Sequence, residues 1–500
     1  MDGYEQRPVP GARGLATAKT IALILAGIVV IRLLTLPAYP ILDRTEARYG
    51  YIGELMIQTG NWITPFIDYN VPFWAKPILS FWLTAASFAA FGINEFAARL
   101  PSFVTFILLG WFVFFLGWGE RDRTFGLAAA CVFSSTALAF YLGGTVMTDP
   151  TLTLGITLGM TSFWKCVVGK DAPSKVWGYL FFFGISIGVL AKGPIGAILP
   201  GLSIAAWVTQ HRKWRDTWRR VPWISGTTLM LILVVPWYAL AEYQTPGYLK
   251  YFIVGEHFGR FTDSNWRGDL YGHGSATPPG TIWLFGLVAA LPWSVVMLIL
   301  FCRRRPRQEL FQKSVINDPW LSYLILWLLA PLVLFTFSKN TLITYVAPSV
   351  PAFALLTAHA LLRVGEERDR YLLAATAAIT PLLFLAAVIK INIDPDTRFL
   401  PSQAGIVTTF NKLTADRPAE LIYIYNRPYS AAFYSGGKAK LVRDSPDIAI
   451  ALRTGRTVYF VVRKAYYPKL PEDLRQQLEI VAERNSSWLL RPKTGAAAPR

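Results

Sequence analysis

The feature that most constrains this chain is a succession of long apolar runs, each near the length a helix needs to cross roughly 30 Å of hydrocarbon. Runs of this kind are read at residues 20–36, 96–118, 124–143, 149–168, 176–191, 193–209, 222–242, 280–301, 319–337, 341–362 and 371–393. They predict a mainly α, polytopic membrane protein with about 11–13 transmembrane helices. The fifth and sixth runs are short and are divided by Lys192-Gly193-Pro194, which predicts a tight hairpin or one broken helix. A shorter apolar segment at 77–92 fits a helix lying along the interface. Composition agrees: 53% of residues are hydrophobic and only 16% charged, against about 25% charged in a typical soluble protein.

The formal net charge is +18, from 49 Lys and Arg against 31 Asp and Glu. Nucleic acid is not the expected partner, because the basic residues sit in short clusters between apolar runs rather than on one polar face. Cys131, Cys166 and Cys302 are too few for a disulfide framework. The clusters alternate. One set of loops holds Arg7, Arg13 and Lys19; Arg121 and Arg123; Lys170 and Lys175; Arg212, Lys213, Arg215, Arg219 and Arg220; Arg303, Arg304, Arg305, Arg307 and Lys313; and Arg363, Arg368 and Arg370. The positive-inside rule places that set in the cytoplasm, with residues 1–19 as a cytoplasmic tail. The run at 20–36 is longer than a signal-peptide core and lacks a small-x-small site after it, so it is read as the first span. After Asp394 the character changes. Residues 421–425 and 457–462 read as strands, 471–477 as a helix start and the tail from Gly495 as disordered. This predicts a transmembrane domain over 20–393, with an outward loop at 40–95, and a small periplasmic α/β domain over 394–500.

Charges that stand against the orienting bias are where chemistry is sought. Asp43-Arg44-Thr45-Glu46-Ala47-Arg48-Tyr49 opens the first outward loop, with Glu46 and Tyr49 at helical spacing and Asp43 within one turn of Glu46. An acid beside a base can act as general base or hold a phosphate-binding arginine. The structural alternative is a capping box with Thr45 as N-cap. Lys76, in Trp74-Ala75-Lys76-Pro77, is a lone cation amid aromatics and would otherwise be a snorkelling lysine. Asp149 precedes Pro150 and could cap a helix with proline at its first position. Lys192 lies between two apolar runs, where a charge at helix centre would cost about 2.5–3.5 kcal/mol, so an anionic partner is expected. Lys339 repeats the arrangement at another short turn, followed by Tyr345. The loop from Tyr243 to Gly280 carries Glu256, His257, Arg260, Asp263, Arg267, Asp269 and His273. Its histidines lack the HxxH or HExxH spacing of a metal site.

Taken in order, TEARY (45–49), FWAKP (73–77), the run SFWLTAASFAAFGINEFAARLPSF to Phe103, VMTDPTLTL (146–154), GVLAKGP (188–194), EHFGRF (256–261) and FSKNTLITYVAP (337–348) resemble bacterial membrane glycosyltransferases of the protein O-mannosyltransferase superfamily. The likeness is strongest to the aminoarabinose transferases that act on lipid A, and covers about residues 20–393. It implies the GT-C fold, a periplasm-facing active site and an undecaprenyl-phosphate-linked sugar as donor. It also implies that Arg48, Lys76 and Lys192 line the lipid-phosphate region, with Lys339 and Arg260 as further phosphate-binding candidates. Glu46, Asp149 and Asp43 are the implied acids, with Tyr49, His257 and Tyr345 beside them. The family commonly has an Asp-Glu pair where this chain has Thr45-Glu46, and an acid, which with a histidine can hold a divalent metal, where it has Ala75. No tightly bound zinc is therefore expected. The expected activity is transfer of a sugar from undecaprenyl phosphate to a periplasmic lipid A-like or glycan acceptor at the inner membrane. A protein acceptor is the alternative within the fold. A lipid-linked sugar transporter or flippase is the alternative outside it, and would be expected to show paired repeats and a midplane site.

Overall fold

The structure is a computed structural model that describes residues 11–169, 172–263, 266, 268, 270–271, 276–303, 318–364, 368–394, 401–453 and 456–493. Arg7, Lys170, Arg267, Asp269, His273, the basic residues from Arg304 to Lys313 and the tail from Gly495 lie outside the described residues. Among the described residues, seven helices are long and apolar enough to cross a membrane: Ala18–Thr35, Glu95–Glu120, Lys175–Lys192, Trp223–Gln244, Pro319–Thr336, Ile343–Arg363 and Leu372–Ile393. An eighth span is counted if Thr281–Ala289 and Trp293–Cys302, which meet at 103°, are taken as one. The chain is a multi-pass membrane protein. The other runs expected to span are helical too, but as Arg123–Ser135 with Ala137–Leu142, Asp149–Val167 and Ile195–Gln210. Asp149–Val167 is buried along nearly its whole length and carries Asp149, four threonines and Lys165. A helix sheathed by protein rather than lipid need not be apolar all round, which is why its composition falls short of a span's.

The chain folds as two compact units, one built from Met1–Thr35, Phe73–Ser80 and Arg99–Leu385 and the other from Leu36–Pro72, Phe81–Ala98 and Ala386–Arg500. In the first, the Asp149–Val167 and Lys175–Lys192 helices meet through two glycine pairs at helical spacing, Gly155 with Gly159 and Gly184 with Gly188. A Cβ at position 155 would stand 2.5 Å from the Gly188 amide nitrogen and 2.7 Å from the Gly184 carbonyl oxygen. One at 184 would stand 2.7 Å from the Gly155 carbonyl. Small residues spaced by four let backbones touch, the main source of attraction between helices in lipid, where no hydrophobic driving force separates protein from solvent. Gly193, at φ +86, then turns the chain into Ile195–Gln210, and Gly196 returns against Gly188. The Lys192-Gly193-Pro194 break is thus a tight hairpin. Farther along, the Tyr323 hydroxyl donates to the Met160 carbonyl at 2.7 Å within a cluster of Phe163, Trp164 and Trp207.

The second unit holds a five-stranded sheet in the order β4-β3-β5-β7-β6, with β3 (Glu420–Ile424), β4 (Lys440–Val442), β5 (Val458–Arg463), β6 (Leu478–Arg484) and β7 (Ser487–Pro492). A separate hairpin pairs β1 (Phe66–Asp68) with β2 (Val71–Pro72). β3 runs parallel to both β4 and β5, while β7 is antiparallel to its neighbours. Alternate residues of β3 and β5 enter two cores. Leu421, Tyr423 and Val461 pack with Ile406, Phe410 and Ala431, and Ile422, Ile424 and Phe460 with Ile448 and Leu474. This is the two-faced burial that parallel strands require. The sequence expected strands at the positions of β3 and β5 and a helix at Glu472–Gln477, as found. The Thr45–Thr59 helix belongs to this unit and lays Gly50 against the Phe433 ring.

Two outcomes follow. Gly155→Ala places a methyl into backbone and is expected to lower the melting temperature of the detergent-solubilised protein, with overpacking costs of about 1–3 kcal/mol. Gly201→Ala, where nothing lies within 4 Å of the added carbon, is expected to leave it unchanged or raise it. Equal behaviour of the two would refute the close-packing account. Glu54 is buried, with Oε1 accepting from Gln58 at 2.9 Å and Oε2 without a partner among the described residues. Burial pushes its carboxyl up to about 8. A group whose folded pKa is raised stabilises fully below its unfolded value and loses that contribution as pH rises through the folded one. Wild type should therefore lose stability as pH rises from the ordinary glutamate value of 4.5 to about 8 and level off above it, and Glu54→Gln should remove that fall.

Candidate functional site

In the first unit, the glycine contact aligns the start of Asp149–Val167 with the end of Lys175–Lys192, and that alignment brings two distant charges together. Lys192 Nζ donates to Asp149 Oδ1 at 2.6 Å, both side chains being largely buried. Asp149 does not cap its own helix. Thr148 occupies the N-cap position and no side chain caps there, so the carboxylate serves as the anionic partner expected for Lys192. The ammonium also lies 4.6 Å from the Tyr345 ring centroid, a cation–π contact.

A second charged centre is built on Glu256, in the π-helical turn Lys250–Gly259, a backbone form that recurs at functional sites. Its Oε2 accepts from Lys76 Nζ at 2.9 Å and from Arg260 Nη1 at 3.1 Å. Lys76 is presented by a pinned segment: the Trp74 amide donates to the Tyr271 hydroxyl at 2.9 Å and its indole to Thr245 Oγ1 at 3.1 Å. Glu256 is only 3% exposed. Burial alone would raise its pKa, but Lys76 and Arg260 outweigh that and hold it below the usual range. His257 points its Nδ1 at the Phe252 carbonyl, 2.8 Å away, and its Nε2 at the Lys192 carbonyl, 3.3 Å away. Burial is the main cause of its lowered pKa.

Lys76, Lys192, Glu256, His257, Arg260 and Tyr345 line one cavity of about 270 Å3, closed on its other side by apolar residues such as Leu152, Ile195 and Leu334. Lys339 does not line it and is exposed. The neighbouring Asn340 is the residue that organises this turn, its Nδ2 donating to the carbonyls of Arg260 at 2.8 Å and Asp263 at 2.9 Å. Glu256 and Asn340 were within quoted motifs but were not singled out for a role. The four-residue spacing of Glu256 and Arg260 was the available signal for the first; nothing in the sequence distinguishes Asn340 from Lys339. Among the described residues no group of three or more His, Cys, Asp or Glu could hold a metal ion. Around His257, both ring nitrogens face carbonyls, Glu256 already carries two cations, and position 75 offers no carboxylate. That donor set does not fit a zinc site.

The remaining sequence candidates, Asp43, Glu46, Arg48 and Tyr49, lie in the second unit. Asp43 Oδ1 accepts from the Ser430 amide at 2.9 Å and its other oxygen from the Ser430 hydroxyl; burial raises its pKa. Glu46, also buried, accepts from the Leu42 amide at 3.0 Å, so the two acids have separate donors. No capping box forms, because the helix starts at Thr45 with Arg44 at its N-cap and no side-chain cap. It is Glu46 that reaches back to the preceding turn. The Arg48 guanidinium lies 5.3 Å from the Tyr49 ring centroid and 5.8 Å from that of Tyr429, and Tyr49 is buried edge-on against Phe81.

The described residues form a polytopic membrane protein with the GT-C fold. Its fold matches that of the crystal structure of ArnT from Cupriavidus metallidurans bound to undecaprenyl phosphate, with a TM-score of 0.74, covering 96% of this chain and 99% of that one at 18% identity. Residues 19–252 match the family described as dolichyl-phosphate-mannose-protein mannosyltransferase. Among curated proteins the chain is similar to the undecaprenyl phosphate-alpha-4-amino-4-deoxy-L-arabinose arabinosyl transferases of Enterobacter sp. (strain 638), 27% identical over 71% of this chain and 62% of that protein, and of Aeromonas hydrophila, 29% identical over 67% and 59%. The matched region spans about three-fifths of the length of these relatives.

The Glu256 centre has a pH signature. A carboxyl whose folded pKa is depressed contributes stability that is present above its unfolded value and lost as pH falls through the folded one. Glu256→Gln is expected to melt below wild type at neutral pH, with the gap closing as pH falls below the ordinary glutamate value of 4.5. A gap independent of pH would show that Glu256 acts through packing rather than charge.

Proposed function

We propose that this protein is a membrane glycosyltransferase that moves a sugar from an undecaprenyl-phosphate-linked donor to a lipid or glycan acceptor at the periplasmic face of the inner membrane. The observation that carries this reading is the cavity in which Lys76, Lys192 and Arg260 face an apolar wall, with Lys192 paired to Asp149 and Lys76 and Arg260 to Glu256. A sugar–phosphate–lipid diester carries a negative charge that these cations suit, while the apolar wall suits the prenyl chain. The alternating basic loops and the names of the relatives support the orientation and the donor.

In this reaction the bond between the sugar's anomeric carbon and the phosphate oxygen breaks, its electron pair passing to phosphate, and the acceptor oxygen bonds to that carbon. The phosphate thereby gains a second negative charge, which the three cations stabilise in a low-dielectric site. A hydroxyl acceptor must lose its proton. As the phosphate draws Lys192 toward itself, Asp149 is released from its ion pair and becomes the base within reach. Glu46 and Asp43 are proposed as further acids, with Arg48 positioning the donor phosphate, Tyr49 packing beside it and His257 holding the Lys192 turn; these four assignments in the second unit, and that of Lys339, rest on the sequence resemblance.

Asp149→Asn and Glu46→Gln keep shape and remove charge. Each is expected to lower turnover by about a hundredfold to ten-thousandfold with undecaprenyl-phosphate binding retained, whereas Lys76→Met and Lys192→Met should weaken that binding. Mass spectrometry of lipid A and envelope glycans from a deletion strain should show one glycan or lipid species lacking a sugar substituent, restored by wild type and not by Asp149→Asn. An unchanged envelope, or wild-type turnover in both carboxylate variants, would overturn this reading; a change confined to proteins would replace its acceptor.

A further inference from the structure

The sheet of the second unit carries a cavity whose place follows from topology. β3 and β5 are adjacent and parallel. The chain leaving β3 enters the Tyr429–Tyr434 helix, whose Ala431 packs into the core on one face of the sheet. The chain leaving β5 passes through Lys464–Lys469 to the Glu472–Gln477 helix, whose Leu474 packs into the core on the other. Where neighbouring parallel strands send their connections to opposite faces, a crevice opens at their carboxyl ends, and ligands of open α/β sheets bind there. A cavity of about 600 Å3 occupies this position, a volume usual for ligand sites.

Its walls are chemically one-sided. Arg427 and Tyr425 come from the end of β3, Arg463, Tyr466 and Lys469 from the end of β5, and Asp43 and Arg44 from the turn before Thr45. Tyr425 sits at φ +66, a left-handed conformation costly for a side chain of its kind, and this turns the β3 exit outward over the crevice. Arg427 is held by Asp68 and by the Ala439 carbonyl, the latter at 2.8 Å, and Asp43 is spent on Ser430. Arg44, Arg463 and Lys469 are exposed and none of them forms an ion pair within 4.0 Å among the described residues, although Arg463 lies near enough to Asp43 to favour its ionised form. Lys469 Nζ lies 5.1 Å from the Tyr466 ring centroid, and the Tyr466 and Tyr425 rings meet edge-on. A merely solvated basic face would be convex and interspersed with acids. This one is concave, holds three exposed cations with no close ion pair and a single carboxylate, Asp43, among the described residues, and carries amphipathic rings that can cover a sugar while leaving their hydroxyls to hydrogen-bond.

We propose that this crevice binds a sugar carrying a phosphate monoester, with the phosphate on Arg463, Lys469 and Arg44 and the sugar ring against Tyr466 and Tyr425. In the reaction proposed above, such a group is the headgroup of the acceptor; that clause alone rests on that reading. The test is calorimetric titration of the purified full chain in detergent with glucose 6-phosphate, glucose and inorganic phosphate, without carrier or turnover. Glucose 6-phosphate should bind saturably and at least about tenfold more tightly than either component. Arg463→Gln with Lys469→Gln should weaken it about tenfold or more, and Tyr466→Ala should abolish its advantage over inorganic phosphate. These side chains are wholly or partly exposed, and the variants should melt like wild type; should the double variant melt lower, Arg44→Gln gives the same reading from a different segment. Competition by a diphosphorylated glucosamine lipid would identify a lipid headgroup as the natural source, and its absence a free sugar phosphate. Absence of saturable binding, equal binding by the folded variants, or equal affinity for inorganic phosphate would overturn the proposal. A chain that binds glucose 6-phosphate yet transfers no sugar would strike the proposed reaction and leave this site standing.

Discussion

The contact between Gly155, Gly159, Gly184 and Gly188 is the constraint on which the first unit's chemistry depends. Two helices that approach until backbone meets backbone have almost no freedom to slide, since a side chain at Gly155 or Gly184 would collide with a carbonyl or amide of the other helix. The register so fixed decides which residues meet at the helix ends. Asp149 begins one helix and Lys192 ends the other, so an ion pair between residues 43 positions apart is a consequence of packing several residues away. The close turn at Gly193 and the return of Gly196 then set the Lys192 carbonyl where His257 can approach it.

Once held there, the charges obey a single rule: a buried ion must be compensated, and the compensation defines what can replace it. Glu256 is nearly inaccessible and compensates two cations at once, which keeps it ionised against the cost of burial. Asp149 compensates one. The asymmetry matters for the proposed reaction. A phosphate arriving at this cavity competes most easily for the cation with the simpler partnership, and Lys192, already partly satisfied by the Tyr345 ring, can shift toward it, leaving Asp149 as the carboxylate that takes up a proton. Displacing Glu256 would strand a carboxylate among apolar groups, so that centre keeps its form while the Asp149 centre changes.

Much of this was legible in the sequence, and the boundary has a physical cause. Apolar runs declare helices because lipid imposes the same demand on every residue of a span; the runs that fell short as spans, Asp149–Val167 above all, are those sheathed by protein. Lys76 and Lys192 stood out as charges in apolar context and Arg260 as one charge of the 243–280 loop, but their partners did not, because pairing is a property of register, and register is encoded in the glycine spacing. The end of the 337–348 motif is instructive: charge drew attention to Lys339, while the structural role fell to Asn340, whose amide satisfies two carbonyls at a helix end. At Thr45 the pattern of a capping box was present and the cap was not, since Glu46 found the Leu42 amide instead. The crevice of the second unit was invisible for a different reason. Its residues come from 43–44, 425–429 and 463–469, and only a strand order of β4-β3-β5 makes those segments neighbours.

The two cavities embody opposite ways of holding an anion. In the first unit the cations are largely enclosed and paired in advance, so a ligand must exchange one carboxylate for another acceptor; the gain is a difference between two compensated states, it is selective for charge and geometry, and it is less screened than at an exposed site. In the second, Arg44, Arg463 and Lys469 are exposed and without a close ion pair among the described residues, so a phosphate gains attraction with little to displace but in a high dielectric, where each contact is weak and screened within a Debye length. Affinity there has to come from several such contacts together with burial against the tyrosines, which is why a phosphate attached to a sugar suits that crevice and a bare phosphate does not. An acceptor that must be collected and released at every turnover is matched to the second arrangement, and a leaving group whose charge appears only as its bond breaks is matched to the first.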